Sequence, residues 1–214
     1  MSRAERREQL VEVARGLFAE KGLEGTSVEE IATHAEVSKP VVYEHFGGKE
    51  GLYAVVVERE VRTLHDAIHD ALSQPATGPR ALIEVGTMTL LDYIEEHPDG
   101  FRIISRDSSP YSSSGGSFST ILSSIATRVE GLLGSEFERR GFDAATAPLY
   151  SQMLVGLVGL SGQWWRDARE TTTLAKPEVA AHLVNLIWNG LKGLDPDPTL
   201  YLAEHEGPDT AQLA

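Results

Sequence analysis

Residues 26–52 read TSVEEIATHAEVSKPVVYEHFGGKEGL, and this stretch carries the start signals of two short helices separated by a tight break. Ser27 and Glu30 fit a capping box at the start of the first helix. Ser38 is a good N-cap for the second helix, and Pro40 then falls in its first turn, where the missing N–H costs nothing. Two crossing helices joined in this way are the layout of a helix-turn-helix, which places its second helix in the major groove of DNA.

The second helix of this pair is expected from about Lys39 to Phe46, with a buried side and an outward side. Val42 and Phe46 lie four residues apart and can pack against the preceding helices. On the outward side, Lys39 can donate to guanine, whereas Pro40 and Val41 can touch a thymine methyl group. Other side chains, and the N-termini of helices, are suited to hydrogen bonds with phosphates. Such contacts fix the position of the protein on the duplex but do not read its sequence. The candidate DNA-binding residues are Thr26, Ser27, Ser38, Lys39, Pro40, Val41, Tyr43, His45 and Lys49.

The composition limits the kinds of partner. The chain has 214 residues, a formal net charge of −13 and no cysteine. This acidic balance argues against sequence-independent attachment to nucleic acid and against an anionic membrane surface, and the lack of cysteine excludes disulfides and thiol chemistry. The longest apolar stretch, 153–165, is shorter than the roughly 20 residues that span a membrane, and the start MSRAERREQL lacks the apolar core of a signal peptide. We therefore expect a cytoplasmic protein.

The rest of the sequence has helical periodicity almost throughout, so we predict an all-α fold. We expect a small N-terminal domain over 1–48 and a larger C-terminal domain over 49–194, with a connector helix at 49–73. A polar loop at 108–117 and a mobile tail at 195–214 are also expected. Further helices are expected at about 80–96, 101–107, 117–140, 143–171 and 177–193.

The stretch LFAEKGLEGTSVEEIATHAEVSKPVVYEHFGGKEGL, residues 17–52, followed by a long helical remainder, resembles the TetR family of transcriptional regulators. The positions that fit the family pattern are Phe18, Gly22, Thr26, Ile31, Ala32, Val37, Ser38, Tyr43, Phe46, Lys49, Glu50 and Leu52. The resemblance implies a TetR-like fold and a homodimer. It also implies a head that binds a double-stranded DNA operator and a body that binds a small-molecule effector.

Three stretches of the body resemble a narrower group, the fatty-acid-synthase regulators of mycobacteria and their actinobacterial relatives. They read DGFRIISRDSSP, APLYSQMLVGLVGLSGQWWRDARE and AAHLVNLIWNGLKGL. This second resemblance implies control of fatty-acid biosynthesis genes and a hydrophobic tunnel that senses long-chain acyl-CoA. The alternative is a repressor that responds to another hydrophobic or aromatic compound.

The body offers bulky apolar and small residues from which such a tunnel could be built. Gly156, Gly159 and Gly162 recur inside one apolar helix, where each costs about 1 kcal/mol relative to alanine. These glycines are consistent either with space for an acyl chain or with close packing between helices. Any single aromatic residue of the body could equally be part of the ordinary hydrophobic core. Arg102 and Arg106 lie one turn apart and could meet phosphates, or be solvated. The candidate ligand-binding residues are Met88, Leu91, Phe101, Arg102, Ile104, Arg106, Phe118, Leu122, Met153, Leu157, Trp164 and Trp165.

The last predicted helix, at 177–193, has one broad apolar face. Together with the helix at 143–171 it could form half of a four-helix bundle across a two-fold axis. A dimer also suits DNA recognition, because one short helix reads only a few base pairs and two half-sites multiply the selectivity.

Other chemistry has weaker support in the sequence. His65 and His69 have metal-ligand spacing but no evident third ligand, so we expect no metal site and no cofactor. Residues 159–163 nearly match a nucleophile elbow, but Gln163 replaces the final glycine and no strand precedes it. We therefore expect no catalytic residues, and an enzyme and a scaffold protein remain the second and third hypotheses.

Overall fold

The computed structural model describes residues 1–74, 78–106 and 118–199. All regular structure in these ranges is helical, which confirms the all-α prediction. The α-helices are α1 (Arg3–Gly25), α2 (Val28–His34), α3 (Lys39–Phe46), α4 (Lys49–Ser73), α5 (Pro79–Glu96), α6 (Pro98–Arg106), α7 (Phe118–Arg140), α8 (Ala147–Asp167) and α9 (Lys176–Lys192). The predicted ends differ from these by no more than about one turn. The loop expected at 108–117 and most of the expected tail, from residue 200 on, lie outside the described residues.

Helices α1, α2 and α3 form a small head with its own core. A capping box begins α1, since the Ser2 hydroxyl accepts from the Glu5 amide at 3.2 Å and the Ser2 amide donates to the Glu5 carboxylate at 2.6 Å. Gly22, at a φ of 72°, interrupts α1 near its end in the left-handed region that favours glycine. The buried side chains that α1 to α3 give to this core are Leu10, Val11, Ala14, Leu17, Phe18, Ala19, Ile31, Ala32 and Val42.

The long helix α4 contributes to two hydrophobic cores. Its first half places Leu52, Tyr53, Val56 and Val57 in the core of the head. Its second half places Leu64, Ile68 and Leu72 in the core of the body, which is otherwise built from α5 to α9. One continuous helix of 25 residues therefore links the packing of the head to that of the body.

The short helix α6 makes a second link between head and body. Ile103 packs into the core of the head, whereas Phe101 and Ile104 pack into the core of the body. At the end of α6, the Arg106 guanidinium donates to the backbone carbonyl of Ala19 at 2.7 Å. This hydrogen bond ties the end of α6 to α1 three residues before the interruption at Gly22.

A buried polar contact fixes the junction of α4, α5 and α6. The Tyr93 hydroxyl donates to the Glu60 carboxylate at 2.8 Å, and both residues are buried. Burial, reinforced by the Glu60 carboxylate, raises the pKa of Tyr93 far above its usual value, so the phenol stays protonated and keeps donating. Gly100 of α6 lies against this pair, and a β-carbon at that position would come within 2.0 Å of the Glu60 carboxylate oxygen.

This geometry predicts that Gly100→Ala destabilises the protein. The added methyl group must displace a buried, hydrogen-bonded carboxylate, so we expect the free energy of unfolding to fall by about 1–3 kcal/mol. The matched control is Gly131→Ala on α7, where nothing lies within 4 Å of the new β-carbon and helix propensity improves by about 1 kcal/mol. Urea unfolding measures both variants. A Gly100→Ala protein as stable as the wild type would contradict the close contact.

Candidate functional site

The start of α2 lies at one edge of the head. The Ser27 hydroxyl accepts from the Glu30 amide at 3.1 Å and caps the helix, while the Glu30 carboxylate forms an ion pair with Lys21. Thr26 is buried, and its hydroxyl donates to the Gly22 carbonyl at 2.8 Å. The Thr26 side chain thus ties α2 to the end of α1, and the phosphate contact expected at this helix start would be made by backbone N–H groups.

The start of α3 is the exposed part of the helix-turn-helix. Ser38, Lys39 and Pro40 are all exposed, and the Ser38 hydroxyl makes no capping hydrogen bond. Tyr43, one turn later, is 55% exposed, whereas Val42 is fully buried. Lys39 and Pro40 of the predicted outward side therefore face solvent, and Tyr43 continues that side beyond the first turn. Val41, which was predicted on the same side, is half-buried and packs against the core of the head.

Lys39 has an acidic neighbour on α2. Its ammonium group lies 2.9 Å from the Glu29 carboxylate, and both side chains are more than half exposed. Surface ion pairs of this kind contribute about 0–1 kcal/mol, so the contact does not hold Lys39 firmly. The ammonium group can leave Glu29 when a nucleic-acid acceptor is offered.

The far end of α3 is held to its neighbours. His45, which is half-buried, has a backbone carbonyl that accepts from the Arg7 guanidinium at 2.9 Å, and the same guanidinium lies 4.4 Å from the centre of the Phe46 ring. The Lys49 ammonium group donates to the backbone carbonyl of Leu23 at 3.0 Å. Lys49 therefore joins α4 to the end of α1 in this structure, where the sequence suggested a phosphate contact. Sequence reasoning missed Arg7, because its target is a backbone atom 38 residues away.

The body contains an apolar cavity of about 450 Å³ between α4, α5, α7, α8 and α9. Polar side chains on its wall are few, namely Gln74, Thr87, Glu136 and Arg139. The apolar wall is formed by Leu64, Ile68, Leu72, Gly78, Pro79, Leu82, Ile83, Gly86, Leu90, Phe118, Leu122, Ile125, Val129, Leu132, Leu133, Leu154, Val155, Val158, Gly159, Ile187 and Leu191. A volume of this size is typical of sites that bind small molecules.

The cavity is long and has one polar end. Its lining residues on α7 run from Phe118 to Arg139, which is about 30 Å at 1.5 Å per residue. Helices α4 and α7 run in the same direction, because His65 contacts Ser124 and Arg128 contacts Ser73. Gln74, which directly follows α4 and lies on the wall, is therefore toward the end of the cavity where Glu136 and Arg139 form an ion pair.

The predicted ligand-binding residues are spread over several environments. Two of them, Phe118 and Leu122, line the cavity. Four are buried in the core of the body, namely Leu91, Phe101, Ile104 and Trp165. Two are half-buried against that core, namely Met88 and Leu157. Four lie elsewhere: Arg102 is exposed, Arg106 binds the end of α1, and Met153 and Trp164 are more than half exposed on α8.

Two of the three glycines of α8 serve close helix packing. A β-carbon on Gly159 would lie 2.9 Å from the Leu122 side chain, and one on Gly162 would lie 2.9 Å from Ile94. Gly156 has open space around it instead. Close approach of helices therefore explains Gly159 and Gly162, although Gly159 also lies on the wall of the cavity.

An exposed apolar stripe runs along α8. Leu149, Met153, Leu160 and Trp164 are each more than half exposed, and their spacings of 4, 7 and 4 residues place them on one face of the helix. Leu186 of α9 is also 61% exposed. A contiguous apolar surface of this kind is typical of a protein–protein interface.

The described residues form neither a membrane span nor a metal site. No helix there is long and apolar enough to cross a membrane. No group of three or more His, Asp or Glu side chains within residues 1–74, 78–106 and 118–199 has the arrangement of a metal site. His65 instead contacts Asp66 and Ser124, and its ring stacks with that of His69 at 6.1 Å.

Comparisons with known proteins agree with this arrangement. Residues 10–56, which cover most of α1, all of α2 and α3 and the start of α4, match the family described as bacterial regulatory proteins, tetR family. The HTH-type transcriptional activator FasR of Mycolicibacterium smegmatis is 27% identical over 195 residues, covering 89% of this chain and 85% of that protein. An HTH-type transcriptional repressor of Streptomyces coelicolor is 31% identical over 96 residues, covering 45% of this chain and 46% of the repressor.

Solved structures have the same fold over most of the chain. A tetR-family transcriptional regulator from Streptomyces coelicolor is 26% identical with a TM-score of 0.67, and covers 87% of this chain and 80% of that one. The fatty acid degradation regulator FadR from Bacillus halodurans has a TM-score of 0.68 at 16% identity, and covers 87% of this chain and 96% of that one. Residues 10–56 therefore form a TetR-family helix-turn-helix domain, and the all-helical fold of the chain is the fold of TetR-family transcriptional regulators.

Proposed function

We propose that this regulator is a homodimer that controls fatty-acid biosynthesis genes and releases or binds its operator in response to a long-chain acyl-CoA. The observation that carries the proposal is the long apolar cavity with one polar end. Similarity to the transcriptional activator FasR over 89% of the chain supports a regulatory role for the whole chain, because the matched residues include the body that contains the cavity. The effector class is the one that the resemblance to fatty-acid-synthase regulators implies.

The cavity suits a long chain better than a compact aromatic molecule. Its walls offer apolar side chains along about 30 Å of α7, and burying a methylene group against such walls contributes about 0.8 kcal/mol. Among the described lining residues Phe118 supplies the one aromatic ring, so stacking on a flat aromatic effector would be limited. At the polar end, the exposed guanidinium of Arg139 is suited to the phosphates of CoA.

Effector binding in the cavity can change the position of the head through two helices, α6 and α4. The cavity residue Phe118 packs edge-on against Phe101 of α6 at 5.2 Å, and the same helix ends at the Arg106 contact with α1. Helix α4 lines the cavity and also enters the core of the head. The effector changes operator affinity only if it binds the DNA-competent and incompetent conformations differently. A coupling of about 1–3 kcal/mol corresponds to a change of roughly 5- to 150-fold.

The proposed dimer places two copies of α3 on one operator. The apolar stripe on α8 and Leu186 of α9 would pack against the same surface of a second copy, as a two-fold axis requires. Each α3 would enter the major groove of one half-site, with Lys39, Pro40 and Val41 at base edges and Tyr43 and His45 near phosphates. In this proposal the domains are a DNA-binding head over 1–48 and an effector-binding and dimerisation body over 49–194.

We expect Lys39→Ala to weaken binding to the operator by about 5- to 150-fold and to relax the base preference, because it removes a donor to a base edge. Fluorescence anisotropy on an operator selected from random duplexes, and on single-base variants of it, measures both effects. Lys192→Ala on α9 is the control, since it removes the same charge from an exposed position in the body. Unchanged affinity and base preference in Lys39→Ala would show that Lys39 does not read bases.

We expect Trp164→Glu to convert the dimer into monomers, because it would bury a carboxylate in an apolar interface without a partner. Light scattering coupled to size-exclusion chromatography measures the mass. Ser135→Glu, which adds the same charge at an exposed position on α7, should leave the dimer intact. A Trp164→Glu protein that remains dimeric would place the interface on another face.

We expect Val129→Phe to reduce the affinity for palmitoyl-CoA by about 5- to 150-fold, since overpacking of a filled site costs about 1–3 kcal/mol. Val129 lines the cavity and does not belong to the head, so operator binding without effector should persist. Val85→Phe adds the same bulk on α5 outside the cavity lining and is the matched control. Equal affinities in the wild type and Val129→Phe would show that the chain binds elsewhere.

A further inference from the structure

The hydroxyl group of Thr87 on α5 has no hydrogen-bond partner. Thr87 is 1% exposed and lies on the wall of the cavity. In an α-helix, a threonine hydroxyl ordinarily donates to the backbone carbonyl four residues earlier. Residues in this protein that do so are Thr33, Thr63, Thr89 and Thr127. Thr87 therefore differs from its neighbour Thr89, two residues along the same helix.

The surroundings of Thr87 make the lack of a partner costly. The cavity residues one turn before and after it, Ile83 and Leu90, are apolar, and Gly86 offers no side chain. A hydroxyl that is buried without a partner is destabilising. A single trapped water would lack the two to four polar partners that such a molecule ordinarily needs, because Thr87 is the one polar side chain on this part of the wall.

We propose that Thr87 hydrogen-bonds to an oxygen carried within the aliphatic chain of the effector, so that the preferred ligand is an oxygenated acyl chain with a hydroxyl or keto group between two hydrocarbon segments. The inference rests on the proposed function, because it specifies the chain of the proposed acyl effector. Thr87 lies eight residues after Pro79, or about 12 Å along α5 from the start of that helix. The chain on either side of the oxygen would contact apolar wall.

The apolar wall also argues against a hydrogen bond between Thr87 and the thioester group at the end of the effector's acyl chain. Seating the thioester there would draw the amide groups of the pantetheine arm into the cavity behind it. Those amides would find few partners between Leu82, Ile83 and Leu132, and burying them unpaired is unfavourable. An isolated oxygen inside a hydrocarbon chain needs one partner, which is what Thr87 offers.

A chain without the oxygen would leave the Thr87 hydroxyl unpaired. A chain with a correctly placed oxygen would pair it once rotation about χ1 turns the buried hydroxyl toward the ligand. A site built to pair with a polar group in this way discriminates against analogues that lack the group. For one neutral hydrogen bond we expect a preference of about tenfold.

Titration calorimetry with stearoyl-CoA and with hydroxystearoyl-CoA isomers that carry the hydroxyl near the middle of the chain tests the proposal. We expect the wild type to bind at least one isomer about tenfold more tightly than stearoyl-CoA. Thr87→Val keeps the shape of the side chain and removes the hydroxyl, so it should bind that isomer no more tightly than stearoyl-CoA. Thr87→Ser should retain the preference.

Thr89→Val is the matched control, because the Thr89 hydroxyl is already bonded to the carbonyl of Val85 at 2.8 Å and does not line the cavity. It should keep the wild-type preference. A wild type that binds every isomer no better than stearoyl-CoA would overturn the proposal. So would a Thr87→Val protein that keeps the preference, or a Thr89→Val protein that loses it. If Thr87→Val has a lower melting temperature than the wild type, Thr87→Ala, which removes the same hydroxyl, takes the place of Thr87→Val in the comparison.

The same titration with free hydroxystearic and stearic acids separates this inference from the proposed function. If the thioesters do not bind but hydroxystearate binds more tightly than stearate in the wild type and not in Thr87→Val, the acyl-CoA assignment fails and the role of Thr87 stands. If the thioesters bind and dissociate the operator complex without preference for a hydroxyl, the proposed function stands and the role of Thr87 fails. If neither thioesters nor acids bind, both fail.

Discussion

The sharing of α4 between two hydrophobic cores is the constraint on which the rest of the structure depends. Leu52 and Val56 are fully buried in the close-packed head, and Leu64 is fully buried in the body beside the cavity that it lines, so the second half of the helix cannot shift without disturbing the head. The buried contact between Glu60 and Tyr93 falls between these two halves and joins α4 to α5. A change in the width of the cavity is therefore transmitted to the head as displacement of a rigid element.

The helices and the DNA-binding head could be predicted from the sequence because their signals are local. Capping at Ser2 and Ser27, the break at Gly22 and the left-handed Gly47 that ends α3 each depend on residues a few positions away. The contacts of Thr26 and Lys49 were not predictable in the same way, since both side chains end on carbonyls of α1. A residue type that suits a phosphate suits a helix end equally well.

The cavity could be predicted only in outline. Hydrophobic periodicity shows which face of a helix is buried, but it does not distinguish a face that meets another helix from one that meets empty space. Phe118 and Leu122 were predicted and do line the cavity, whereas Leu91 and Phe101 have the same apolar character and are buried in the core. The polar lining residue Thr87 gave no signal, because what sets it apart is the absence of the usual backbone bond.

The pair between Lys39 and Glu29 has a consequence for how an acidic regulator discriminates among DNA sequences. The charge that is proposed to approach the major groove is already paired with a carboxylate of the same head, so an arbitrary duplex would gain little attraction from it. A cognate base pair offers acceptors in a fixed geometry. Only at such a base pair would the Lys39 ammonium group bind more favourably to the DNA than to the Glu29 carboxylate. Glu29 would then compete with non-cognate DNA for Lys39, and this competition would weaken binding at sites other than the operator.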